Sequence, residues 1–174
     1  SLSPYSPYGF HKAMMETLCQ SYGANFGVKV SVVRFFSVYG AGLEKQLLWD
    51  ICRQLSADPP TILLSGTGGE IRDWIHISDV VRLLWQMKDL CHRSAPVVNG
   101  GTGAGTTVRD IVSLVCRAWG SSAVPEFSGI QRPGDPESLV ADMQSAHKLG
   151  YHALKPLREG VSEVVHWYKE YSKR

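Results

Sequence analysis

The sequence predicts an α/β fold on three observations. Short β-branched and aromatic runs alternate with longer segments whose apolar residues recur at helical spacing. Glycine and proline punctuate these segments at Gly27, at Pro59-Pro60 and through Ser65-Gly66-Thr67-Gly68-Gly69. A chain of 174 residues, 44% hydrophobic and 20% charged, is also long enough and apolar enough to bury a substantial core.

The elements follow in order. Met14, Met15, Leu18, Cys19 and Tyr22 predict a helix over about 7–23. Gly27 ends that pattern, and Val28, Val30, Val32, Val33, Phe35 and Phe36 predict a buried strand. Residues 37–42, with two glycines, read as a loop. Leu47, Leu48, Ile51, Cys52 and Leu55 predict a second helix stopped by Pro59-Pro60. Residues 61–64 form a short strand, 65–69 a tight turn, and 71–77 an alternating strand with Ile71, Asp73, Ile75 and Ile77 on one side.

Ser78 is expected to cap a helix carrying Val80, Val81, Leu84, Trp85 and Leu90. A strand over 96–99 follows. Thr107-Val108-Arg109-Asp110 has the form of a capping box opening a helix through Ile111, Leu114, Val115 and Trp119. Next come a strand over 124–127, a loop around 131–136, a short helix from Asp142 to Leu149, and a last helix over 156–171 with Pro156 in its first turn. Trp74, Trp85, Trp119 and Trp167 are most simply core residues.

Composition excludes several classes. Eighteen basic residues against 16 acidic ones leave a net charge of +2, with no basic run beyond Lys173-Arg174. Nothing there favours nucleic acid or a charged membrane surface. The apolar runs are too short to span a bilayer. The opening Ser1-Leu2-Ser3-Pro4 lacks the basic and apolar regions of a signal peptide, so the expected compartment is cytoplasmic. Cys19, Cys52, Cys91 and Cys116 form no Cys-x-x-Cys pair and are expected as buried reduced thiols. The six histidines show no ligand spacing, so no metal site is expected.

Two features touch on chemistry. Gly101-Thr102-Gly103-Ala104-Gly105 lacks the sixth-position glycine of a dinucleotide loop and reads better as a turn before a helix. Tyr8 and Lys12 stand four residues apart on one helix, so their side chains share a face. An ammonium beside a phenol favours the phenolate, which can take a proton from a hydroxyl whose carbon gives up hydride. Such a pair by itself is more often a solvated helix face. Asp73 has the alternative role of satisfying buried backbone, and Asp79 that of a first-turn acid.

The surrounding motifs change that weighting. Ser6-Pro7-Tyr8-Gly9-Phe10-His11-Lys12, Arg34-Phe35-Phe36-Ser37-Val38-Tyr39-Gly40 and Gly68-Gly69-Glu70-Ile71-Arg72-Asp73-Trp74-Ile75-His76 appear in that order. Val98-Asn99-Gly100-Gly101-Thr102, Arg132-Pro133-Gly134-Asp135-Pro136, and Ala141-Asp142 through Lys148-Leu149-Gly150-Tyr151 follow. Together these resemble the extended short-chain dehydrogenase/reductase family, specifically its nucleotide-sugar epimerases and dehydratases. The resemblance covers nearly the whole chain and corresponds to the C-terminal half of such a protein.

The resemblance implies the C-terminal part of a Rossmann-like fold with its small substrate-binding domain. Residues 1–40 would close the dinucleotide-binding domain. Residues 41–174 would be mainly substrate-binding, with some segments returning to the Rossmann part. It further implies NAD as cofactor and a nucleotide-diphosphate sugar as substrate. Tyr8 would be the general base, Lys12 its partner on the nicotinamide ribose, and Phe36 a neighbour of the nicotinamide. Arg72 and Arg132 would grip the diphosphate, Asp135 the nucleotide ribose, and Asn99 the substrate. Ser37 stands where the family often has Asn, a departure at a sugar-nucleotide contact. Lys45 and Gln46 lie where the sugar is usually covered.

The implied reaction is 4-epimerisation through a 4-keto intermediate. The alternatives are 4,6-dehydration or reduction within the same family, or a fragment that binds nucleotide sugars without catalysis. The glycine-rich turn of a first βα unit is missing from this sequence, so the chain alone is expected to be inactive. Its first helix also resembles the family's dimer helix, which implies a homodimer or another oligomer.

Overall fold

The computed structural model describes residue 4 and residues 6–58, 60–130 and 134–173. Helix α1 (Pro7–Phe26) leads into strand β1 (Val32–Phe35) and strand β2 (Ser37–Tyr39). Helix α2 (Gln46–Leu55), strands β3 (Thr61–Leu64) and β4 (Ile71–His76) and helix α3 (Ile77–Met87) come next. After a short 3-10 turn at Lys88–Leu90 come β5 (Val97–Gly100), β6 (Gly105–Thr107) and α4 (Val108–Trp119). Strands β7 (Val124–Phe127) and β8 (Ser138–Leu139) and helices α5 (Gln144–Lys148) and α6 (Leu157–Tyr171) complete the order.

The sheets are short and mostly parallel, as the alternating pattern requires. β1 pairs with β5, and β3 with β7, both parallel. β4 is the hub of a four-stranded sheet. β2 runs parallel along Trp74–His76, while antiparallel β6 and parallel β8 both reach Ile71 and Arg72. Two apolar clusters hold these layers. One joins α2, α4 and α6 through Ile51, Cys52, Ile111, Val115, Val161 and Tyr168. The other gathers Leu83, Met87, Val98, Ala146 and Tyr151 against Val33, Phe35 and Phe36.

Several expectations need correction. The 37–42 segment is not all loop, because Ser37–Tyr39 pairs with β4. The strand foreseen across 28–36 is confined to Val32–Phe35 and is half-buried, with Val30 contributing only an isolated bridge to His92. β6 and β8 are too short to carry a periodic signal. Asp142 does accept a hydrogen bond from the Gln144 amide at 2.9 Å, yet α5 begins after Met143 and spans only Gln144–Lys148.

Helix α1 runs past Gly23, which is buried because the Arg93 carbonyl lies where a Cβ would stand. The helix closes at Gly27, whose φ of 71° favours glycine. The apolar stripe foreseen on α1, including Met14 and Leu18, is exposed. The start of α3 also shifts. His76, not Ser78, is the cap, with its Nδ1 accepting from the Ser78 amide at 3.3 Å, so Ile77 is helical rather than part of the strand. The buried face of α3 carries Asp79, Val80, Leu83 and Met87, which leaves Val81, Leu84 and Trp85 exposed. Cys52 and Cys116 are buried as expected, whereas Cys19 and Cys91 are only half-buried.

Candidate functional site

The first cleft is built from the start of α1. Ser6 caps the helix by accepting from the Gly9 amide at 3.2 Å, and Pro7 sets the first turn. Tyr8 and Lys12 therefore fall one turn apart, with the Lys12 Nζ 5.3 Å from the centre of the Tyr8 ring. They line a cavity of about 560 Å³ with Glu16, Arg34, Phe35 and Leu139. Tyr8 is 71% exposed, so its hydroxyl is open to a ligand.

The second cleft, about 500 Å³, lies over the β2–β4 sheet and holds Ser37, Gln46, Arg72, Trp74 and Asp135. Arg72 is fixed at its rim, with Nη1 donating to the Ile71 and Pro136 carbonyls at 2.8 Å. Its Nη2 donates to Asp135 Oδ1 at 2.6 Å. A smaller hollow of about 80 Å³ beside it brings Lys45 against Ser37, Gln46 and Trp74. Gln46 enters α2 with φ of 69°, a left-handed conformation unusual for a residue with a side chain.

The two clefts lie side by side where β1 passes into β2. Phe35 lines the first and Ser37 the second, with only Phe36 between them. Leu139 of the first cleft stands in register with Arg72 of the second. Phe36 lies at that junction, its amide donating to the Gly100 carbonyl at 3.2 Å while its ring packs on the second apolar cluster. Asn99 is drawn elsewhere, since its Nδ2 donates to the Asp142 carbonyl at 3.0 Å. Arg132 lies outside the described residues.

The glycine-rich 101–105 segment folds around an anion that belongs to the protein. Asp73, fully buried, accepts from the Thr102 amide and hydroxyl at 2.8 and 2.6 Å through Oδ1. Its Oδ2 accepts from the Gly103 and Ala141 amides at 2.9 and 3.2 Å. Gly101 permits this wrapping, because a Cβ there would lie 2.4 Å from Asp73 Oδ2. The turn reading of this segment therefore holds, and its Thr102 and Gly103 amides are spent on Asp73. Asp79 does similar work at the head of α3, pairing with Arg82 at 2.8 Å and accepting from the Leu154 and Lys155 amides.

Electrostatics sharpen the picture around both clefts. The Arg34 hydrogen bonds to Glu16 hold its carboxyl below the usual range. The Thr67 and Gly68 amides and the Thr67 hydroxyl do the same for Glu70, which fastens the turn before β4. Burial keeps the His76 imidazole more easily deprotonated than usual, with Glu163 opposing that shift. Burial pushes the Cys52 thiol up to about 12, so it is inert. Among the described residues no cluster of His, Cys, Asp and Glu is arranged to hold a metal ion.

Sequence reasoning missed the Glu16–Arg34 pair and the backbone conformation of Gln46. The first carried a signal, since Glu16 follows Lys12 by four residues and Tyr8 by eight. The second carried none, because φ is a property of the folded loop.

A sequence profile of the NAD dependent epimerase/dehydratase family matches residues 1–99. The uncharacterised UDP-glucose epimerase YtcB of Bacillus subtilis (strain 168) is 33% identical over 168 residues, which is 95% of this chain and 52% of that protein. The dTDP-glucose 4,6-dehydratase of Streptomyces griseus is 28% identical over 98% of this chain and 52% of its own length. The UDP-glucuronic acid 4-epimerase of Bacillus cereus, solved with UDP-glucuronic acid and NAD, superimposes with a TM-score of 0.87 at 27% identity. That match covers 97% of this chain and 54% of the other. The chain thus spans about half the length of the relatives it matches.

Proposed function

Since this chain belongs to the NAD dependent epimerase/dehydratase family, we propose that it forms the substrate-binding half of a nucleotide-sugar 4-epimerase. The observation that carries this reading is the junction of the two clefts at Phe35–Ser37 and at the Arg72–Leu139 register. A sugar held by its diphosphate in the second cleft would extend toward Tyr8 in the first.

Each residue then has a task. Arg72, joined by Arg132, binds the diphosphate through charge-assisted hydrogen bonds that a guanidinium makes in pairs. Asp135 gives up its hold on Arg72 and accepts from the nucleotide ribose. Ser37 borders the sugar and Gln46 and Lys45 cover it, while Asn99, expected there from the sequence, is held instead on the Asp142 carbonyl. Tyr8 removes the proton from the sugar C4 hydroxyl and later returns it. Lys12 stabilises the phenolate and donates to the nicotinamide ribose. Phe36 supports the nicotinamide from the strand end.

The residues present fit NAD at its nicotinamide-ribose end, where Tyr8 and Lys12 border an open cavity. They do not fit its pyrophosphate, because the glycine-rich amides are closed on Asp73. When bound, NAD supplies an acceptor for the C4 hydride and its return to the other face. The division into residues 1–40 and a mainly substrate-binding 41–174, with some of its segments returning to the first part, follows from the same reading. The second apolar cluster supports it, since β1 is joined there by α3, β5 and the 141–151 segment.

Titration calorimetry of the native full-length protein with UDP, dTDP and GDP sugars, followed by product analysis, tests this. Binding of a sugar nucleotide with interconversion at C4 is the expected result. A 4-keto-6-deoxy product would assign dehydration instead, the reading favoured by the Streptomyces griseus relative. Binding without turnover in the presence of NAD would reduce the protein to a binding module. No helix among the described residues is long and apolar enough to cross a membrane, which is compatible with a cytoplasmic location. The exposed Phe10, Met14 and Leu18 of α1 support self-association as a homodimer, to be read by light scattering.

A further inference from the structure

Glu16 occupies an awkward place. It lies one turn beyond Lys12 on the face of α1 that carries Tyr8, and all three border the same cavity. A free carboxylate four residues from a lysine attracts its ammonium. Left to itself, Glu16 would draw Lys12 along the helix and away from the phenol.

Arg34 prevents this. Its Nε donates to Glu16 Oε1 and its Nη2 to Oε2, both at 2.7 Å, so the two carboxylate oxygens are engaged together. Val33 and Phe35 pack on the second apolar cluster, and strand alternation turns Arg34 to the opposite side, toward α1. Pairing of β1 with β5 fixes the strand, with Arg34 opposite Asn99. The carboxylate is largely withdrawn from solvent, its side chain being 13% exposed. Lys12 meanwhile stands 5.3 Å from the Tyr8 ring.

Among the described residues, Arg34–Glu16 is also the only side-chain hydrogen-bonded link between α1 and another element. We propose that Arg34 is a positioning residue that sequesters the Glu16 carboxylate, leaving the Lys12 ammonium to Tyr8. The inference rests on the reading of Tyr8 and Lys12 as the proton-transfer pair. It adds that their partnership depends on a strand residue that acts on the pair through Glu16.

The test compares Arg34→Met with the double variant Arg34→Met/Glu16→Gln in the native full-length protein. Turnover is read alongside the nuclear Overhauser contact between the Lys12 ε-methylene and the Tyr8 ring. The single variant should lose that contact and about tenfold in turnover. Removing the competing carboxylate should restore the contact and all but about twofold of the rate. A double variant no better than the single one would overturn the proposal, since a simple mechanical clamp stays broken in both. Persistence of the Lys12–Tyr8 contact in Arg34→Met would overturn it equally. If the contact is lost and turnover holds, the proton-transfer reading is what fails. Should Arg34→Met not fold, Arg34→Lys with and without Glu16→Gln replaces it. One ammonium can hold only part of the carboxylate, so a smaller loss with the same rescue is expected.

Discussion

Arg72 and Asp135, far apart in the chain, are joined by a hydrogen-bonded ion pair of 2.6 Å at the mouth of the second cleft. Arg72 is well buried there, while Asp135 is half exposed. A buried guanidinium whose carboxylate partner faces solvent is ready to exchange that partner for an entering phosphate.

Arg72→Ala should therefore weaken sugar-nucleotide binding by about 2 kcal/mol, the usual worth of a hydrogen bond to a charged group. Arg72→Lys should recover little of it, because an ammonium cannot reproduce two parallel donors. Calorimetry with UDP and with uridine separates the diphosphate contribution from that of the base. Equal losses for both ligands would remove Arg72 from the diphosphate site.

Tyr8→Phe should reduce turnover by roughly a hundredfold or more, the range for removing a positioned acid–base group. Its sugar-nucleotide affinity should stay close to that of the parent, since Tyr8 borders the first cleft and Arg72 the second. A variant that loses affinity and keeps its rate would reverse these assignments.

Asp73→Ala should destabilise the fold by about 3 kcal/mol or more, because it removes one acceptor shared by several backbone donors and empties a buried site. Those donors are the Thr102, Gly103 and Ala141 amides. Asp73→Asn should do little better, as one of its two terminal atoms is a donor facing donors. Gly101→Ala should cost about 1–3 kcal/mol through the forced contact with Asp73 and Ala141. Urea unfolding read by tryptophan fluorescence checks all three.

The pH dependence of stability follows from Glu70, whose folded carboxyl titrates below its usual 4.5. A depressed folded value means the unfolded chain takes up the proton first. Its contribution is therefore complete above about pH 5 and is lost as pH falls through the folded value. Glu70→Gln should flatten the acid side of the stability curve, with little change in slope near neutrality. An unchanged acid limb would assign that dependence to other carboxylates, Glu16 among them.

Much of the fold was legible where local chemistry fixes it. Thr107 caps α4 by accepting from the Asp110 amide at 3.0 Å, as the capping pattern requires. The strands at Thr61–Leu64 and Val124–Phe127 stand where their β-branched and aromatic residues placed them, and pair in parallel. The α3 face was not legible. Val81, Leu84 and Trp85 are as apolar as Val80, Leu83 and Met87, and only packing against β1, β2 and β4 decides which set is buried. β6 and β8 exist because β4 offers them hydrogen bonds, which no period within so short a segment can announce.

The candidate site divides the same way. The chain's own order set the spacing of Tyr8 and Lys12, the glycine-rich turn, and the blocks that mark the family, because helical period and turn chemistry act over a few residues. What gathered Ser37, Arg72 and Asp135 into one cleft, closed residues 101–103 on Asp73, and set Arg34 against Glu16 was tertiary structure. Those contacts join residues distant in sequence, and their strength depends on burial and two-point geometry that exist only once strands and helices have packed.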